Sequence, residues 1–498
     1  MIRDATELEQ GARLEADVCI VGAGAAGITL ARDLGARGLT VLLFESGGQA
    51  EEPETQDLYA GEMTGVGDVG LTDCRLRQFG GTTNRWAGWC RPLDPEVFEA
   101  RAAAPLGAWP IAHADLVPWY KQAQRTCEIG AFQYDVDHVL AETGKPLLPL
   151  AAPADHVFYQ YSPPTRFAEV YGPELEQSPT ITVYLHANLV DLDFEGAAVS
   201  GLQLRTLSGV AFTATARQYV LALGGLENAR MLLAARGGQG VGNERDQVGR
   251  YFMDHPHFYV SGYMLVRDQP NLDLYLRRTR ISTTDDFDPE PREVSVKAAL
   301  TLTSEARAAH DLMPVAITLR SIELDDALEA TGTLSPQAII DVSKVSPDVR
   351  VLGLDIRAEQ SPDPESRITL LDTTDALGMP RMQLNWQVGQ PDHVQYTQTL
   401  RLLGAALGQS GIGRLWMPLD EEELFKPRRY IGGCHHMGTT RMAAEPANGV
   451  VDGECRVHGV DNLFMAGSSL FPSAGFANPT LTIVALAHRL AEHIGGLQ

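Results

Sequence analysis

Gly22-Ala-Gly24-Ala-Ala-Gly27 is a run whose chemistry would be done by its backbone. Gly22 permits a tight turn, Gly24 lets main chain approach a pyrophosphate, and Gly27 lets a helix pack close to a strand. The helix that follows offers free N–H groups and a positive dipole end to phosphate oxygens. Glu45, eighteen residues past Gly27, is a carboxylate placed to hold ribose hydroxyls. This is the chemistry of dinucleotide binding. The motif does not by itself separate NAD from FAD, although its place at the first strand leans towards FAD.

The elements needed to position these residues are present in order. Val18 to Val21 is a β-branched apolar run that reads as a buried parallel strand, Ile28 to Ala36 has helical spacing, and Thr40 to Phe44 is a second strand ending at Glu45. A loop-rich stretch, Ser46 to Thr72, leads to Gly80-Gly81-Thr82-Thr83-Asn84-Arg85-Trp86, whose glycines, hydroxyls and amide suit a backbone-donor loop around a pyrophosphate or flavin edge. Residues 91–180, rich in proline and aromatics, read as short helices and ordered loops rather than sheet. Strands resume at Ile181–Leu185 and Leu189–Phe194, a hairpin follows at Ser200–Leu207 and Val210–Ala214, and Gln218 to Gly225 runs from a strand into a glycine turn and a helix, Glu227–Ala235. That is a second β-Gly-α unit returning to the nucleotide-binding sheet. From about residue 258 the pattern becomes long alternating strands (258–266, 294–303, 349–359, 367–371, 381–388), as in a half-exposed antiparallel sheet. A helix over Asp392–Ala406 returns the chain, and another spans Leu481–Ile494.

Composition bounds the partners. With 40 basic against 64 acidic residues the net charge is −24, which argues against nucleic acid and against anionic membrane. No apolar run is long enough to cross a bilayer and the N-terminus lacks a signal-peptide pattern, so a cytoplasmic protein is expected. The six cysteines, Cys19, Cys74, Cys90, Cys127, Cys434 and Cys455, form no C-x-x-C pair. They read as reduced, mostly buried thiols, with no metal site spelled out.

The C-terminal part carries Gly432-Gly433-Cys434-His435-His436-Met437-Gly438, then Ala466-Gly467-Ser468-Ser469, then Ala477-Asn478-Pro479-Thr480 at the start of the last helix. With these residues the chain resembles the glucose–methanol–choline (GMC) family of flavin oxidoreductases over nearly its whole length, closest to its pyranose-oxidase and bacterial sugar (glycoside) oxidoreductase branches. The resemblance implies an α/β fold, α+β overall, with a Rossmann-like FAD-binding domain and a substrate domain built on a largely antiparallel sheet. It implies a discontinuous FAD domain from 1–100, 181–257 and 430–498, a substrate domain at 258–429, and a bridging segment at 101–180. Cofactor contacts are implied at Gly22, Gly24, Ala25, Gly27, Glu45, Ser46, Gly80, Gly81, Thr82, Asn84, Trp86, Val190, Ala222, Gly224, Asn228, Gly467, Ser468, Pro479 and Thr480.

The same resemblance makes His435 the base that takes a hydroxyl proton while hydride leaves the carbinol carbon for flavin N5. Asn478 would hold the same oxygen, and the helix behind Thr480 would stabilise negative charge on the reduced flavin. His436 is the rival to His435. Some pyranose oxidases bind flavin covalently through a histidine in Thr-His-Trp; Asn84-Arg85-Trp86 stands here instead, so non-covalent FAD is expected. Arg85 either lies near the flavin or pairs with a surface acid. The implied activity is oxidation of a sugar, glycoside or polyol alcohol, with oxygen or another acceptor taking the electrons. Its alternatives are oxidation of an aminosugar or aminoglycoside, which the acidic charge keeps open, or a non-redox, lyase-type reaction on the same fold.

Overall fold

In the computed structural model the described residues are 1–65, 71–267, 270–321, 349–416 and 431–497. Six strands form a wholly parallel sheet in the order Ile2–Asp4, Ile181–Leu185, Val41–Phe44, Val18–Val21, Gln218–Leu221, Leu463–Met465. The central strands Val18–Val21 and Val41–Phe44 are buried at every position, which is why both read as continuous apolar runs rather than alternating ones. The expected βαβ unit is present, its helix beginning three residues earlier, at Ala25. A Cβ on Gly27 would lie 1.8 Å from the Gly22 carbonyl oxygen, so only glycine lets this helix sit so close to the strand turn. The second unit also returns as expected: Gln218–Leu221 pairs with Val18–Val21 and leads into the helix Gly224–Gly238. The last helix, Thr480–Gly496, packs against Ala25–Ala36 and His113–Thr126.

The antiparallel part is a nine-stranded sheet. It contains the expected strands at Pro256–Val266, Arg292–Leu302 and Arg350–Ala358. The stretch 91–180 departs from its expectation. Ala154–Tyr161 is a strand pairing over eight residues with Arg292–Leu302, and Trp89–Cys90 pairs beside it. The prolines around it (Pro153, Pro163, Pro164) mask its period, yet Val157, Phe158, Tyr159 and Tyr161 are β-branched or aromatic as strands require. Arg367–Thr374 and Pro380–Trp386 also differ, forming a separate three-stranded sheet with Glu62–Gly65 from the early loop. Four cysteines are free and buried as expected. Cys74 and Cys434 are instead joined in a disulfide, their Cα atoms 5.2 Å apart. The fold brings together residues 360 apart in sequence, a separation that no spacing pattern reveals.

Candidate active site

A cavity of about 590 Å³ extends from Glu45 to His435 and Asn478. Two helices aim their N-termini at it. Ala25–Ala36 and Thr480–Gly496 both begin without a side-chain cap hydrogen bond, so first-turn N–H groups stay available to acceptors in the cavity. Of the residues expected to bind cofactor, Gly22, Gly24, Ala25, Glu45, Ser46, Gly81, Thr82, Trp86, Ala222, Gly224, Gly467, Ser468, Pro479 and Thr480 line it. Glu45 is fixed from both sides, one carboxylate oxygen accepting from Ala23 N–H (2.9 Å) and the other from Gly47 N–H (3.0 Å). Burial raises its carboxyl pKa against those donors.

Five expected contacts lie outside the lining, four of them with a structural task. Gly27 allows the helix–strand packing described above. Gly80 N–H donates to the Ala23 carbonyl (2.9 Å) and holds the loop against the nucleotide turn, while the Asn84 amide donates to the Phe79 carbonyl (2.9 Å) and closes the loop on itself. Asn228 is wholly buried; its amide donates to the Ala466 carbonyl and Ser469 Oγ while its oxygen accepts from Leu223 N–H. Val190 is not among the lining residues, whereas Ala187, Asn188 and Leu189 are. Arg85 lines the cavity and also pairs with Glu51.

At the other end, His435 and Asn478 meet, the Asn478 amide nitrogen 3.0 Å from His435 Nε2. His435 Nδ1 lies 2.8 Å from His255 Nδ1, and His255 Nε2 lies 3.4 Å from the Ala474 carbonyl. Only one protonation pattern satisfies this line when both rings are neutral. The Ala474 carbonyl can only accept, so His255 Nε2 carries a proton and its Nδ1 accepts. His435 Nδ1 must then donate, which leaves the single lone pair of His435 Nε2 accepting the Asn478 amide N–H at the cavity, a bond that a hydroxyl donor would replace. Burial favours that neutral state. It lowers His255 to about 4 and holds His435 well below the ordinary imidazole value, with neighbouring His255, His257 and Arg357 adding to the effect on His435. The arrangement presents a proton acceptor beside an amide donor.

The sequence reading missed what holds this line. His257 stands with its ring centroid 5.5 Å from that of His435. Asp254 is fully buried, and one of its oxygens accepts N–H donors from His255, Gly433 and His435 at 2.7–2.9 Å. Burial pushes its carboxyl up to about 7 despite those donors. A Cβ on Gly433 would lie 2.6 Å from His257 Nε2 and 3.0 Å from His435 Nδ1, so the second glycine of Gly432-Gly433 is required by the ring packing. His436, the rival, is buried with Nε2 3.9 Å from Asp254 Oδ2, and Asn478 bonds His435 instead. Asp254-His255-Pro256-His257 is adjacent in sequence, but its link to 433–435 depends on pairing of Pro256–His257 with Ile431–Gly432.

The remaining end of the cavity holds Glu227 among Arg75, Arg77 and Arg230, at 2.9, 2.6 and 3.0 Å. Burial alone would raise the Glu227 carboxyl, and the three guanidiniums bring it down to about 2. The lining fits FAD. A glycine turn and an uncapped helix would hold the phosphates, the fixed carboxylate of Glu45 would hold the ribose, and the second uncapped helix and the His435–Asn478 pair would meet the flavin.

Residues 20–58 match the profile of an NAD(P)-binding Rossmann-like domain, and residues 362–487 match that of a GMC oxidoreductase. The chain is 27% identical to paromamine 6'-oxidase of Streptomyces fradiae, over 96% of this chain and 91% of that one. It is 23% identical to the fructose dehydrogenase large subunit of Gluconobacter japonicus, over 97% and 98%. Among solved structures, a formate oxidase variant of Aspergillus oryzae aligns over 99% of both chains with a TM-score of 0.60 at 17% identity. Glycine turn, parallel sheet and these likenesses agree: residues 362–487 form a GMC oxidoreductase domain, and the chain is similar over nearly its whole length to FAD-dependent alcohol oxidoreductases.

Proposed function

We propose that this chain oxidises a primary or secondary alcohol of a sugar, glycoside or related polyol to the carbonyl, with His435 as the base and FAD held non-covalently. The observation that carries the reading is the hydrogen-bonded line Asn478–His435–His255–Ala474, which leaves a lone pair on His435 Nε2. An alcohol is too weak an acid to ionise unaided, so the hydroxyl proton must pass to a neutral base as the carbinol C–H bond breaks. Bound FAD supplies the two-electron acceptor for that hydride. His435 Nε2 takes the proton, Asn478 orients the substrate oxygen, and the lost hydride and proton together account for the carbonyl product. The sugar class is supported by the named relatives, a paromamine oxidase and a fructose dehydrogenase. Non-covalent attachment is supported by the absence of histidine from Asn84-Arg85-Trp86. Oxygen or another acceptor would reoxidise the flavin. A second reading, oxidation of an aminosugar or aminoglycoside, is supported by the paromamine relative and the acidic net charge.

The test is an anaerobic absorbance spectrum before and after adding sugars, glycosides and aminosugars. Bleaching of the flavin band by one class, slowed on the order of 10²- to 10⁴-fold in His435→Ala, is the expected result. A flavin that no alcohol bleaches would sink the redox reading. Acid precipitation should release the flavin into the supernatant; flavin retained in the pellet would refute non-covalent binding.

A further inference from the structure

In a chain whose net charge is −24, one cation without a carboxylate partner among the described residues lines the cavity beside His435 and Asn478. It is Arg357. In the nine-stranded sheet Arg357 lies directly across from His257, and cross-strand neighbours on one face have Cβ atoms about 5 Å apart. His257 in turn packs against the His435 ring. Arg357 lines the same cavity as His435 and Asn478. Its guanidinium stacks 4.2 Å from the Trp89 ring centroid, and Nη1 donates to Thr318 Oγ1 at 3.2 Å. Nε is buried without an acceptor. Among the described residues no carboxylate lies within ion-pair distance of Arg357.

Further cations lie outside the cavity lining, where Asp355 acts on Lys297 as well as on Arg320. Lys297 stands on the same face, opposite Tyr159, and Arg278 stacks 4.0 Å from the Tyr161 ring centroid. The one carboxylate on that face of the Arg357 strand, Asp355, faces Arg320 at 3.7 Å. Tyr159 and Tyr161, which flank Trp89 edge-on, are buried with hydroxyls that find no protein partner. Of these groups Arg357 and Trp89 line the cavity, and a guanidinium there with a buried, unpartnered Nε weakens the folded state unless an anion relieves it. A neutral hydroxyl relieves it poorly, whereas a carboxylate matches the planar guanidinium fork.

Resting on the sugar-oxidation reading, we propose that Arg357 is a specificity-determining residue and that the substrate is a carboxylate-bearing sugar, its acid group held against the Trp89-stacked guanidinium while its carbinol reaches His435. The carboxylate itself is unchanged in the reaction. The local field at the wall, not the net charge of the molecule, then selects the substrate, and it selects against an ammonium group.

Anaerobic flavin reduction by methyl glucuronide, methyl glucoside and methyl glucosaminide tests this. The acid should be preferred over the neutral sugar by about ten- to hundredfold in the ratio of reduction rate to dissociation constant, as expected for one charged hydrogen-bonded contact. In Arg357→Gln that ratio should collapse towards one, and Arg357→Lys should restore part of it. Titration with acetate, followed by perturbation of the flavin spectrum, gives a readout that needs no turnover. Acetate should bind the wild type at least about tenfold more tightly than Arg357→Gln. Equal ratios in wild type and variant, a preference for the glucosaminide, or acetate binding unaffected by the substitution would each overturn the proposal. Should none of the three sugars bleach the flavin, the oxidation reading fails separately and the acetate titration alone decides the anion site.

Discussion

The two ring nitrogens of His435 face different partners, and the difference has a measurable consequence. Nδ1 is committed to His255 and Nε2 to the cavity, so proton uptake occurs on the side where an alcohol would stand. Burial keeps the ring neutral below its ordinary value of 6.5. Under the proposed role, acid inactivates only where His435 itself becomes protonated. The acid limb of the flavin-reduction rate is therefore expected below pH 6.5, and a limb at or above that value would count against His435 as base. Gly433 offers a second check at this scale. Alanine there would put a methyl carbon 2.6 Å from His257 Nε2, displacing the ring stack. Gly433→Ala should slow flavin reduction by more than about tenfold while flavin content stays normal; a variant reducing at the wild-type rate would show the stack to be slack.

Between elements, Asp254 ties the start of Pro256–Val266 to the 433–435 turn through three backbone N–H groups. Its folded pKa is raised from 3.8 to about 7. The folded protein thus binds a proton here that the unfolded chain has already lost, and this contribution to stability is full below pH 3.8 and disappears as pH rises through about 7. Asp254→Asn keeps an accepting oxygen and removes the titration. The melting temperature of the wild type, measured relative to this variant, should fall from pH 5 to pH 8; parallel curves would refute the assignment. How far such couplings can be read from sequence depends on their range. The strand–glycine–helix unit at 18–45 is legible because all its signals are local. His435 and Asn478 were legible through a family pattern. His255, Asp254 and Arg357 were not, because each gains its role from a partner roughly 100 to 180 residues away, brought near by sheet pairing. Ala154–Tyr161 was missed for a different reason, since nearby prolines dominate the local pattern.

Across the whole molecule, the Cys74–Cys434 bridge fixes one flank of the cavity immediately beside His435. Cys19, Cys90, Cys127 and Cys455 are buried and unpaired. A thiol reagent should react with none of them in the native protein, with four after denaturation, and with all six cysteines after denaturation and reduction. Six thiols without reduction would show that the bridge is not formed in solution. Assembly has its own constraint. The parallel sheet closes with Leu463–Met465, and the wall beside His435 closes with Asn478–Thr480, although the glycine turn lies at residues 22–27. On the ribosome the phosphate cradle therefore emerges more than four hundred residues before its lid. A cofactor arriving early meets half a site, so its capture must be among the last events of biosynthesis.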